Sequence, residues 1–214
     1  MTLITETVIL RMWLNHVLLC FAWMIYCVLH SVLAALSFKK QMRAWLGDGF
    51  RYYRIFYTLF AFAGLILLIW WMFKMQSPLL FEVQELIYIP GVLLAVFGLT
   101  IMLICIRKYF FSLSGLKSLF YEGPTNQLII SGIHKYVRHP LYLGTFIFIW
   151  GLFFVFPYLS VFITNLVITI YTLAAISLEE EKLIQEYGEA YERYRREVPK
   201  LVPGIKKKSR LQGK

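Results

Sequence analysis

Two apolar runs, residues 141–156 and 158–178, meet at Pro157 with almost no polar residue between them. Each approaches the roughly 20 residues that an α-helix needs to cross the hydrocarbon of a bilayer. The pair therefore reads as a helical hairpin whose tip barely leaves the membrane. Three further apolar runs precede it: residues 13–36, interrupted by Asn15, His16 and His30, then residues 55–73 and 86–106. Lipid offers no partner to a bare peptide group, so runs of this length fold as helices. The expected fold is all-α: a polytopic membrane protein of about five transmembrane helices, with a helical hairpin and a cytoplasmic C-terminal amphipathic helix. Composition agrees, with 59% hydrophobic residues and a mean hydropathy of +0.65.

One integral membrane domain over residues 1–214 is expected, with a three-span part over about 1–106. A second part over 107–203 contains the hairpin, and a basic tail follows over 204–214. The first ten residues carry Glu6 in place of a basic start, which argues against a signal peptide. Cys20, Cys27 and Cys105 all fall in apolar spans without paired spacing and read as buried free thiols. No metal-ligand set is expected.

Charge orients the spans. Of 22 Lys and Arg, five lie in residues 37–54, five in 107–140 and ten in 179–214, which leaves Arg11 and Lys74. Five spans place the three basic segments on one face, expected to be cytoplasmic, with the N-terminus outside. The net charge of +10 is then accounted for by lipid headgroups rather than nucleic acid, for which no motif is present. The lipid bilayer is the expected partner.

The polar groups converge on that basic face. In YVRHPLYLG, residues 136–144, Pro140 suits a first helical turn because its missing N–H has no partner there. His139, preceding it, is biased towards an extended conformation and should sit just outside the helix, facing the polar rim. Glu179, Glu180 and Glu181 directly follow the last span. Carboxylates there require partners, and Arg138 is in reach if the hairpin returns beside itself. Leu183, Tyr187, Tyr191, Tyr194 and Val198 recur at helical spacing as one face. In RYYRIFY, residues 51–57, Arg51 and Arg54 read first as snorkelling anchors among interfacial tyrosines. His30, beside Ser31 on an apolar helix, reads equally as a hydrogen-bonded structural histidine or a site residue.

RHPLYLG, the apolar hairpin, and then EEEKLIQEYGEAYERYRREVPKLVP over residues 179–203 together resemble the isoprenylcysteine carboxyl methyltransferase-like superfamily of membrane enzymes. LHSVLAALSFKK (29–40), RYYRIFY and FFSLSGLKSL (110–119) look like its branch of bacterial NnrU-like proteins and methanethiol S-methyltransferases. Ala175–Ile176 stands where prenylcysteine enzymes usually carry an Arg-Ile pair, and Arg107 and Lys108 stand where some relatives place an acid. Both departures favour a small thiol over a prenylcysteine.

The resemblance implies S-adenosyl-L-methionine as cofactor, enclosed by the last two spans and the C-terminal segment of a bacterial inner-membrane protein. It implies cofactor-binding roles for Tyr136, Arg138, His139, Tyr142, Glu179, Glu180 and Tyr191. Aromatic faces and carboxylates would stabilise the sulfonium, and Arg138 would take the cofactor's carboxylate. His30, Arg54 and Glu180 are the candidate catalytic residues, acting on a small or membrane-soluble thiol. The alternatives are a phospholipid or isoprenylcysteine-type methyltransferase, or a non-catalytic NnrU-like accessory protein. A transporter would require inverted repeats and polar groups near mid-membrane, and neither is evident.

Overall fold

The computed structural model describes residues 2–113, 128 and 130–204. Most of FFSLSGLKSL, the breakers Gly115, Gly123 and Pro124, and the basic residues Lys206, Lys207, Lys208 and Arg210 lie outside the described residues. Helix α1 (Thr2–Ala34) leads through α2 (Leu36–Leu46) and a 3-10 turn (Gly47–Gly49) into α3 (Phe50–Lys74). Helix α4 (Glu85–Leu113) follows, then a second 3-10 turn (Gly132–Lys135), α5 (Pro140–Val155), α6 (Leu159–Tyr187) and α7 (Glu189–Glu197).

The all-α membrane architecture is as expected. Among the described residues, four helical stretches are long and apolar enough to cross a membrane: Glu6–Ala34, Leu36–Lys74, Glu85–Lys108 and Leu159–Tyr187. Their outer faces carry large apolar side chains, such as Phe56 at 70% and Leu86 at 83% exposure, which lipid would cover. The fifth apolar helix, α5, has only 16 residues, or about 24 Å against a hydrocarbon core of about 30 Å. Its first residues therefore start below the level at which its neighbours end.

Two details differ from the sequence reading. Residues 36–46 form a separate helix, α2, with Lys39, Lys40, Arg43 and the exposed Trp45. Alternating basic and apolar residues suit the membrane interface better than a loop. The acidic segment from Glu179 also does not begin a new helix. Its good helix formers prolong α6 to Tyr187, and the break comes at Gly188, whose φ of 55° a side chain would disfavour. The stripe nevertheless stays on one face across the break, where Tyr191, Tyr194 and Val198 form a cluster with Leu183, Ile184, Tyr187 and Leu128.

Antiparallel α4 and α5 form the closest helix pair. A Cβ added at Gly98 would fall against the backbone nitrogen of Phe148 and 2.7 Å from the Gly144 oxygen. One at Gly151 would lie 2.5 Å from the Ala95 nitrogen. Small residues let these backbones touch where no hydrophobic force drives helices together in lipid. On the other side, Leu19 and Trp23 of α1, Leu68 and Met72 of α3, Phe153 of α5 and Val161 of α6 form the core.

The hairpin tip is fastened at the end away from the basic segments. Leu80 N–H donates to the Pro157 carbonyl at 2.8 Å, and Leu159 N–H to the Pro78 carbonyl at 3.0 Å. Ser77 Oγ accepts the Ser160 N–H at 2.9 Å and lies 2.9 Å from His16 Nε2. His16, which interrupts the first apolar run, is thus buried and hydrogen-bonded as part of this fastening.

The α4–α5 contact predicts an overpacking effect. Gly98→Ala should lower the unfolding free energy in detergent by about 1–3 kcal/mol, whereas Gly49→Ala, whose new Cβ would have its nearest neighbour at 3.9 Å, should leave it unchanged. Equal melting temperatures for both variants and the parent would contradict this packing.

Candidate active site

Pro140 opens α5 at its first turn, and His139 is the N-cap with φ −121°. As the sequence suggested, His139 lies outside the helix. Its ring does not face the rim, however, and is turned inward at 6% exposure. Its Nε2 lies 3.1 Å from Glu180 Oε1, and its Nδ1 lies 3.9 Å from Glu179 Oε2. Arg138, one residue earlier, donates Nε–H to Glu180 Oε1 at 2.9 Å, with a terminal nitrogen 2.7 Å from the same oxygen. Both side chains of this pair are 7% exposed. The two motifs, some forty residues apart in sequence, therefore meet around one buried carboxylate.

A third segment closes the knot. Pro199 disfavours a helical Val198, which is extended at φ −113° and ψ 129°. The chain leaves α7 and crosses the start of α5, where Arg138 N–H donates to the Pro199 carbonyl at 2.9 Å and His139 N–H to the Lys200 carbonyl at 3.1 Å. The remaining Arg138 terminal nitrogen donates to the Arg195 carbonyl at 2.9 Å and to the Val198 carbonyl. Lys200 Nζ stands 3.7 Å from Glu180 Oε2. Sequence reasoning missed these carbonyl contacts and Lys200. The Val-Pro pair was the available signal, since it ends α7 and turns the chain across the site.

Beside the knot is a more open carboxylate. Glu179, 46% exposed, accepts the Tyr142 hydroxyl at 3.0 Å. Tyr142 stacks on His139 with centroids 5.7 Å apart and planes inclined by 24°. Tyr191 is sealed at 1% exposure, and its hydroxyl makes no well-formed hydrogen bond although Arg138 and Glu180 lie nearby. Burial, reinforced by Glu180, pushes its phenol up to about 12. At the rim, burial and then Lys108 and His139 lower the His134 pKa, while its carbonyl accepts the Tyr194 hydroxyl at 2.7 Å. Tyr136 is 68% exposed and forms no part of the buried knot.

The other two candidates occupy a second neighbourhood. The His30 ring nitrogens lie 2.9 and 3.1 Å from the Tyr57 hydroxyl, and its ring stacks on Tyr26. Ser31 meets the Tyr171 hydroxyl at 2.8 Å. Tyr171 and Tyr57 are within electrostatic reach of Tyr142, whose hydroxyl bonds Glu179. Arg54 lies within electrostatic reach of Lys39.

A family model described as phospholipid methyltransferase matches residues 86–190, which include Arg138, His139, Glu179 and Glu180 of the knot. The chain is 32% identical over 199 residues to the methanethiol S-methyltransferase of Crocosphaera subtropica, covering 86% of this chain and 73% of that protein. It is 29% identical over 194 residues to methanethiol S-methyltransferase 1 of Bradyrhizobium diazoefficiens, covering 84% of this chain and 64% of that one. It is 37% identical over 79 residues to the protein-S-isoprenylcysteine O-methyltransferase of Schizosaccharomyces pombe, covering 36% and 34%. No solved structure matches. The chain belongs to the isoprenylcysteine carboxyl methyltransferase-like family of integral membrane methyltransferases.

Burial gives the Arg138–Glu180 pair its leverage. Arg138→Gln leaves a buried carboxylate without its main partner and should destabilise the protein by about 3–5 kcal/mol. Arg196→Gln breaks only an exposed pair, 4.0 Å from Glu192, and should cost at most about 1 kcal/mol. Denaturant titrations of both variants in detergent would test the contrast, and comparable losses would count against it.

Proposed function

We propose that this methyltransferase transfers the methyl group of S-adenosylmethionine to the sulfur of a small thiol, methanethiol in the first instance. The observation that carries the donor assignment is the pairing of an accessible carboxylate, Glu179, with the stacked rings of Tyr142 and His139. A carboxylate beside aromatic faces suits a sulfonium cation, which is attracted by both. The polar rim at His134 adds groups able to meet a nucleoside. When bound, the donor supplies a methyl group made electrophilic by the positive sulfur.

The chain's own residues do the rest. Glu180, held by Arg138 and His139, keeps a fixed negative field under the site, and such preorganised charge costs no reorganisation during reaction. Alignment of thiol, methyl carbon and leaving sulfur is a matter of positioning. A free thiol titrates near 8.5, so it needs only modest help to ionise. His30, joined to Tyr57, is proposed to receive that proton, and Arg54 to favour the thiolate. The thiol acceptor is supported by the names of relatives that align with most of this chain. The protein is read as residing in a bacterial inner membrane with its N-terminus outside, because the described basic residues Lys39, Arg54, Arg138, Lys182 and Lys200 gather near the site.

Purified protein given S-adenosylmethionine and methanethiol should release dimethyl sulfide, whereas methyl label appearing only in lipid would overturn the acceptor assignment. Titration calorimetry with S-adenosylmethionine should give affinities about ten- to a hundred-fold weaker for Glu180→Gln and His139→Ala. Lys74→Ala, at the far end of α3, should bind like the parent. Unchanged binding in both site variants would rule out the assigned pocket.

A further inference from the structure

We propose that Lys200, rather than Arg138, is the cation that receives the α-carboxylate of the methyl donor. The inference rests on the donor reading above and extends it to a residue outside the motif positions singled out for the site.

A bound carboxylate calls for at least one charge-assisted hydrogen bond. Arg138 is the obvious source from sequence, but its guanidinium is committed. Nε and one terminal nitrogen hold Glu180 Oε1. The other terminal nitrogen serves the carbonyls of Arg195 and Val198. With its side chain 7% exposed, Arg138 could turn to a ligand only by stranding a buried carboxylate and two helix-end carbonyls. Such a loss outweighs the gain of one new pair. His139 is similarly engaged, with Nε2 on Glu180 and its ring against Tyr142.

Lys200 is placed differently. Its main chain is fixed at the site, because its carbonyl accepts the His139 N–H at 3.1 Å and the preceding carbonyl accepts the Arg138 N–H. Its side chain is 39% exposed, and its ammonium stands 3.7 Å from Glu180 Oε2. That separation is an ion contact and is too long for a hydrogen bond. Glu180 does not depend on it, since Oε1 already has Arg138 and His139. The ammonium has three donors on a flexible four-carbon stem. It can therefore leave Glu180 for an incoming carboxylate without uncovering an unpaired charge. Arg138 is then a positioning residue that sets Glu180 and holds the segment carrying Lys200, and Lys200 makes the site selective for a donor with an intact amino-acid carboxylate.

The full-length protein in detergent would be titrated with S-adenosylhomocysteine and with its decarboxylated analogue. Lys200→Met should weaken S-adenosylhomocysteine by about ten- to a hundred-fold and leave the analogue's affinity as in the parent. Lys200→Arg, which keeps the charge, should restore the preference for the carboxylate-bearing ligand, and all three proteins should melt at the same temperature. Equal weakening towards both ligands, no weakening towards either, or a parent that does not distinguish them would overturn the role of Lys200 alone. A parent that fails to bind S-adenosylhomocysteine at all would overturn the donor reading, and this inference with it.

Discussion

A carboxylate buried at the end of a membrane bundle must be answered by positive charge and hydrogen bonds, because leaving it bare costs more than most folds can spare. Glu180 is that carboxylate, and much of the C-terminal half is arranged to answer it. Arg138 and His139 reach it from the turn before α5, and the Val198–Lys200 crossing is fastened to those same two residues through main-chain hydrogen bonds. Three segments distant in sequence are thereby referred to one point. The site is rigid for the same reason: moving any one of them would leave a charge or a carbonyl unpaired.

That point lies at a useful depth because α5 is short and held tightly. The glycine contacts with α4 fix its height and rotation, and the hairpin tip is tied to the 77–80 segment at the opposite end. With α6 continuing to Tyr187, its extra turns bring Glu179 and Glu180 against the turn before α5 and its first residues. On the proposed reading, Glu179 and Tyr142 would face the donor, and the Tyr57, Tyr171 and His30 group would face the acceptor.

The fold was largely legible because lipid leaves so few options: apolar runs of the right length become helices, and basic residues gather at one end. The knot was legible in part. Three consecutive acids after a span demanded partners, and the hairpin offered Arg138. What could not be read was the direction of each donor. His139 looked like a rim residue and proved to be buried, and Arg138 looked available although main-chain carbonyls 57 and 60 residues away also claim it. Such carbonyls have no side-chain signature. The α4–α5 contact was missed because glycines among apolar residues leave the hydropathy of a span unchanged. Gly188 likewise carries no periodic signal, and the acidic segment therefore read as a helix of its own.

The central claim is that Arg138 and Glu180 act as one unit that holds the site together. A double-mutant cycle on folding stability in detergent, with Arg138→Met, Glu180→Leu and the two combined, tests it most directly. The account predicts strong coupling of about 0.5–3 kcal/mol, with the double variant more stable than the sum of the single losses implies. Replacing both charges removes the penalty that either change alone leaves behind. Additive losses would show that the two residues contribute independently and would contradict the account.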